Sequence, residues 1–160
     1  MRCLFVLGCV VAGSCWAAGD PKLDFVYPAG GAVSSEFEIE VGGALGAVAH
    51  AVFSGEGVKA TLIGPPREVT YSKKGKAIVK PVPNRFLFKV TVEKEAQPGL
   101  RTFRVGNPAW LSEPLRFDLS NLPETTEAFT NHASVSEAEV ASFPAVLNGR
   151  LPRPDAVDRY

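Results

Sequence analysis

The chain has 160 residues, of which 46% are hydrophobic, and its 17 basic and 17 acidic side chains give a formal net charge of zero. This length is enough for one domain of ordinary size together with a short extension. The balanced charge argues against nucleic acid or an anionic membrane as the partner.

Residues 1–19 have the order of features that is typical of an export signal. Arg2 supplies a positive start, and the apolar or small run from Cys3 to Ala12 is shorter than the roughly 20 residues that a membrane span needs. Small residues at 17–19 predict cleavage before Asp20. We therefore expect an exported protein, in the periplasm, at the cell surface or in the medium, whose mature chain has no transmembrane span.

Cys15 allows a second interpretation of this leader. Residues 11–15 loosely resemble the lipobox of bacterial lipoproteins, with Cys15 as the lipidated residue, although Ala12 stands where leucine is usual. Cys3, Cys9 and Cys15 all lie in the leader. A mature chain cut after Gly19 would therefore contain no disulfide, no thiol nucleophile and no metal site that uses cysteine.

The remaining chain alternates apolar and polar residues in short segments between turn residues, which predicts an antiparallel all-β domain. In chain order, the predicted strands are 23–27, 36–41, 47–54, 58–63, 85–92, 100–105 and 115–119. Pro28 to Gly31 are predicted to form a turn after the first strand. The third and fourth strands are predicted to form a hairpin through residues 55–57, which contain two glycines.

The second predicted strand carries three glutamates on one face, Glu36, Glu38 and Glu40. Successive side chains on that face stand roughly 7 Å apart, because a strand rises about 3.3 Å per residue. This spacing is too wide for joint chelation of a cation. A solvated face is therefore preferred over a cation site or a paired acid and base.

The insertion at residues 64–83 is flanked by prolines and is predicted to form a basic hairpin. Its charged residues are Arg67, Lys73, Lys74, Lys76 and Lys80, against the single acid Glu68. These cations would either attract an anionic polysaccharide, a lipopolysaccharide or an acidic protein face, or protect an edge strand from unwanted pairing. The second interpretation is preferred.

Trp110 is the other candidate for contact with a ligand. It lies in residues 107–111, the predicted turn before the last strand. Loops at the ends of sandwiches often carry recognition residues, and tryptophan is a common anchor at contacts. A tryptophan that folds back to cover the end of the core is the preferred alternative.

Five segments of the chain resemble the immunoglobulin-like repeats of the IPT/TIG kind. These segments are residues 24–31, 38–43, 53–58, 96–105 and 112–117. In particular, they resemble the version found in exported proteins of planctomycete-type bacteria, where this domain precedes a pre-peptidase C-terminal domain. The resemblance implies an immunoglobulin-like antiparallel β-sandwich over residues 20–120.

Residues 143–160 are similar to the opening strand and the aspartate-bearing turn of a pre-peptidase C-terminal domain. These few residues cannot close a β-sandwich. We therefore expect a truncated start of such a domain, which a linker at 121–142 joins to the first domain. A turn that is sometimes associated with calcium in that family is replaced here by Glu127 to His132, without the proline and the acidic partner. No calcium site is therefore carried over to residues 127–132. Asp155 and Asp158 stay open as cation ligands, and capping of turns is the preferred interpretation.

Catalytic motifs are missing from the sequence. The two histidines, His50 and His132, do not stand in a metal-binding pattern. The sequence also contains no nucleophile elbow and no phosphate loop. The sequence predicts a non-catalytic exported module, without cofactor or metal, that serves as a spacer or binding platform in a cell-envelope or secreted protein. Its partner would be envelope polysaccharide or another extracellular protein.

Two other functions stay open. The chain could be an accessory region of a secreted peptidase or other hydrolase whose catalytic domain is encoded elsewhere, which rests on family analogy alone. It could also be a module that binds envelope polysaccharide through Trp110 and the basic insertion.

Overall fold

A computed structural model describes residues 21–71, 77–127 and 142–149 of the chain. Within these ranges the chain is all-β and contains no helix, which confirms the predicted class. The strands of the described residues are β1 (Lys22–Tyr27), β2 (Gly30–Ala32), β3 (Glu36–Ala44), β4 (His50–Phe53), β5 (Val58–Gly64), β6 (Arg67–Tyr71), β7 (Ala77–Pro81), β8 (Arg85–Val92), β9 (Gly99–Asn107), β10 (Trp110–Leu111), β11 (Leu115–Ser120), β12 (Glu124–Thr126) and β13 (Val146–Asn148). The predicted export signal, with Cys15, lies outside the described residues.

Two sheets form the body of the domain. The first has the strand order β1-β3-β8-β5, and all its neighbours are antiparallel. In the second, β9 pairs antiparallel with β4, β10 and β11, and the short β2 pairs with β11. The pairing of β2 with β11 is parallel, as is that of β12 with β13, whereas every other pair among the described strands is antiparallel, as predicted.

One hydrophobic core lies between the two sheets. Its fully buried side chains come from both sheets, and they include Ile39, Val41, Phe88, Val90, Phe103, Val105, Phe117 and Leu119. The ring of Phe117 lies 6.4 Å from that of Phe37 in the facing sheet and 5.0 Å from that of Phe53, centroid to centroid. The alternation in the sequence thus predicts correctly which face of β3 and β8 is buried.

The predicted hairpin between the third and fourth strands is wrong, although both strands exist. Residues 50–53 pair with β9 in the second sheet, whereas residues 58–64 pair with β8 in the first. Between them, Gly55 and Gly57 have φ of 76° and 84°, the left-handed region that favours glycine. The two glycines therefore let the chain cross from one sheet to the other rather than turn back within one sheet.

The predicted turn at Pro28 to Gly31 is partly wrong, because residues 30–32 form β2. A Cβ atom on Gly30 would lie 2.5 Å from the carbonyl oxygen of Asp118 on β11. The ring of Phe37 occupies the space where a side chain of Gly31 would stand. These glycines allow close packing of a strand, which the sequence does not distinguish from a turn.

A small second unit follows the sandwich. Strand β12 lies in the predicted linker, and it pairs in parallel with β13, which lies in the segment predicted to open a further domain. The hydroxyl of Tyr27 donates a hydrogen bond of 3.0 Å to the carbonyl oxygen of Asn148, so this unit contacts the first strand of the sandwich.

Candidate functional site

The insertion between β5 and β8 forms the predicted hairpin. Strands β6 and β7 pair antiparallel in a two-stranded sheet of their own, from Arg67 opposite Pro81 to Tyr71 opposite Ala77. At its base, the amide of Val82 donates a hydrogen bond of 2.8 Å to the carbonyl oxygen of Pro66. The hairpin therefore leaves the first sheet beyond Gly64 and returns to it at Arg85.

An exposed groove lies where this hairpin meets the outer face of β5 and β8. We call it the hairpin groove, and it is lined by Ile63, Gly64, Pro65, Pro66, Val79, Pro81 and Leu87. Its volume is about 670 Å³. Ile63 is 53% exposed and Val79 is 55% exposed, so two aliphatic side chains of this groove face solvent. Exposed apolar patches of this kind are typical of interaction sites.

The candidate cations of the hairpin are only partly described. Lys80 is exposed on β7 and lies opposite Glu68 in the strand register, and Arg67 lies opposite Pro81. Lys73, Lys74 and Lys76 belong to residues 72–76, which join β6 to β7 and lie outside the described residues. Both predicted roles of the cations, attraction of an anionic partner and protection of an edge strand, stay predictions.

The glutamates of β3 lie on the outer face of the first sheet, with Glu40 opposite Leu87, and basic groups contact two of them. Lys89 lies 2.8 Å from Glu36, and Arg85 lies 2.6 Å from Glu40. The guanidinium of Arg85 also lies 5.5 Å from the centre of the Phe25 ring. These contacts favour the interpretation of this row as a charged outer face over that of a cation site.

The pKa of the Glu36 carboxyl is held below its usual range, chiefly by the hydrogen bond from Lys89 and then by that from Thr91. We expect Lys89→Gln to raise the pKa of Glu36 toward that of a free glutamate. A carbon-13 NMR titration of the Glu36 carboxyl measures this change, with Lys94→Gln as the control. A pKa of Glu36 that is unchanged in Lys89→Gln would contradict the assigned cause.

The sign of the pH effect follows from the lowered pKa of Glu36 in the folded protein. This ion pair stabilises the fold above the pKa that glutamate has in the unfolded chain. The stabilisation is lost as the pH falls through the lower folded-state pKa. Both side chains are well exposed, so solvent screens the effect.

Trp110 is half-buried and packs against the hydrophobic core. The side chain of Asn107 fixes its turn: its oxygen accepts hydrogen bonds from the amides of Ala109 and Trp110, and its nitrogen donates one to the carbonyl oxygen of Ala47. This position favours the interpretation that Trp110 covers the core. Contact between Trp110 and a ligand stays a prediction.

A second, smaller pocket of about 220 Å³ lies between the start of β3 and β12. Glu124 lines it, and burial raises the pKa of this carboxyl, although the hydrogen bond of 2.9 Å from the side chain of Asn148 acts in the opposite direction. Sequence reasoning assigned Glu124 no role. Its burial depends on the docking of residues 146–148 beside it, which no local pattern predicts.

Comparison with known proteins finds no match, either to a protein-family model or to a curated protein. Among the described residues, no group of three or more His, Cys, Asp or Glu side chains is arranged to hold a metal ion. In the same ranges, no helix has the length and hydrophobicity to cross a membrane. His50 is exposed on β4, while His132, Asn131, Asp155 and Asp158 lie outside the described residues.

Proposed function

We propose that this chain is an exported, non-catalytic module of immunoglobulin-like fold that acts as a binding platform in a cell-envelope or secreted protein. The main support for the binding role is the hairpin groove. It exposes aliphatic side chains to solvent, although the domain already has a separate hydrophobic core. The features of residues 1–19 support export.

The strand order supports the immunoglobulin-like part of the proposal. When the main sandwich strands are lettered A to G in chain order, they are β1, β3, β4, β5, β8, β9 and β11. The first sheet then has the order A-B-E-D, and the second joins C, F and G. This is the division of strands in immunoglobulin constant-type domains. It agrees with the fold that the resemblance to IPT/TIG repeats implies.

Export is tested by expressing the full chain with a C-terminal tag in a bacterial host. We expect the purified protein to begin at Asp20 and to be recovered outside the cytoplasm. Cys15→Ala separates the two interpretations of the leader, since it would abolish membrane attachment only if Cys15 is lipidated. Recovery from the cytoplasm with Met1 intact would contradict export.

The binding role is tested in the same host by the share of exported protein that stays with the cell envelope after washing. We expect Val79→Asp to lower this share, because a carboxylate in the hairpin groove opposes apolar contact. The control is Val52→Asp, since Val52 is also exposed, at 44%, but lies on the second sheet. Equal retention of both variants and the parent chain would contradict a role for the groove.

A further inference from the structure

The lining of the hairpin groove restricts the chemistry of what it can bind. Ile63, Val79, Leu87 and the three prolines provide aliphatic surface, and none of these side chains can donate or accept a hydrogen bond. Polar groups that are buried without hydrogen-bond partners are costly. The groove therefore favours a ligand that brings aliphatic side chains to it.

Charge beside the groove restricts the ligand further. Lys80 is exposed on β7, next to Val79 and Pro81 of the groove lining. The insertion at 64–83 has five basic residues and one acidic residue in its sequence, in a chain whose net charge is zero. Lys80 at the groove, within an insertion whose sequence has an excess of positive charge, attracts anionic groups, and the attraction weakens as salt rises.

We propose that the hairpin groove docks an extended segment of another protein in which aliphatic residues alternate with acidic ones. The aliphatic side chains enter the groove between Ile63, Val79 and Leu87, and a carboxylate faces Lys80. The proposal names the partner for the binding role given above and rests on that role.

Two other occupants fit the observations less well. A polysaccharide is rich in hydroxyl groups, which need hydrogen-bond partners that the side chains of the groove lack. A second copy of this chain would bring an equally basic hairpin to the contact, and like charges at an interface oppose association. An acidic protein segment satisfies both the apolar lining and the positive charge.

The proposal is tested with three fluorescein-labelled twelve-residue peptides, Glu-Val, Lys-Val and Glu-Ser repeats, and with fluorescein-labelled heparin as an anionic polysaccharide. Binding to the full chain is measured by fluorescence anisotropy in 50 mM and 500 mM NaCl. We expect the Glu-Val peptide to bind at least tenfold more tightly than the other two peptides, and more weakly at the higher salt concentration.

Matched variants test whether the binding occurs at this groove. Val79→Ser removes apolar contact and Lys80→Glu reverses a charge, and each is expected to weaken binding of the Glu-Val peptide at least fivefold. Val52→Ser and Lys94→Glu make the same changes at exposed positions elsewhere, and we expect them to bind like the parent chain. Circular dichroism of each variant confirms that it is folded.

The outcomes separate this proposal from the broader binding role. Heparin binding that depends on Val79 and Lys80, without peptide binding, overturns the proposed partner and leaves the binding platform in place. If the chain self-associates and Val79→Ser abolishes this association, the proposed partner is likewise overturned and the binding platform stays in place. Absence of binding to all probes, together with envelope retention that no groove variant alters, overturns both proposals.

Discussion

Replacement of Phe117 with alanine is expected to lower the free energy of unfolding by about 3–5 kcal/mol. Phe117 is fully buried, and its ring contacts the rings of Phe37, Phe53 and Phe103. Because these aromatic residues belong to both sheets, the cavity left by alanine would weaken the packing between the two sheets. Domains of this size are stable by only about 5–15 kcal/mol, so the variant would lie near the limit of folding.

Urea unfolding measures this loss, with the fluorescence of Trp110 as the signal because Trp110 packs against the same core. Phe143→Ala is the matched control, since Phe143 is 78% exposed and its truncation leaves no buried cavity. We expect this control to change stability by less than about 0.5 kcal/mol. Equal losses in the two variants would show that Phe117 does not hold the sheets together.

Gly43→Ala is the second change with a large expected effect. Gly43 has φ of 149°, and a Cβ there would collide with the carbonyl oxygen of Lys22 and lie 2.8 Å from the amide nitrogen of Asp24. Both atoms belong to the backbone of β1, so the strand itself must move. Strain and displacement each cost about 1–3 kcal/mol, so we expect a loss of about 2–6 kcal/mol.

Gly46→Ala separates these two causes. Gly46 also has a positive φ, of 61°, but no atom lies within 4 Å of the position that its Cβ would occupy. We expect a loss of about 1–2 kcal/mol from backbone strain alone. Amide hydrogen exchange should be faster in β1 in the Gly43 variant and unchanged there in the Gly46 variant. Equal effects of the two substitutions would disprove the collision with β1.

The sequence alone predicts the strands and their buried faces well, because alternation is a local property. Along β8, Phe88, Val90 and Val92 are buried while Lys89 is exposed, as the pattern indicates. The partner of each strand is not a local property. The glycines at 55 and 57 suit a hairpin and a crossing between sheets equally well, and only the packing of the whole chain selects the crossing.

The candidate site, too, could be predicted from the sequence only in part. The prolines and lysines at 64–83 correctly predict that a hairpin occurs at this point of the chain. The groove at the base of the hairpin could not be predicted, because isoleucine and valine, the residue types of Ile63 and Val79, are also typical of buried strand positions. Their exposure follows from where the hairpin leaves β5, with Pro65 and Pro66 directly after Gly64. That path depends on the sheet rather than on any sequence motif.

The adjacency of β5 and β8 has a consequence for how this protein can vary. Gly64 lies opposite Leu87 in the strand ladder, so the chain leaves and re-enters the sheet at neighbouring positions. A short turn from Gly64 to Arg85 could replace the insertion, and every strand pair of both sheets would be kept. The insertion can therefore be exchanged for a different one while the residues that stabilise the fold remain unchanged.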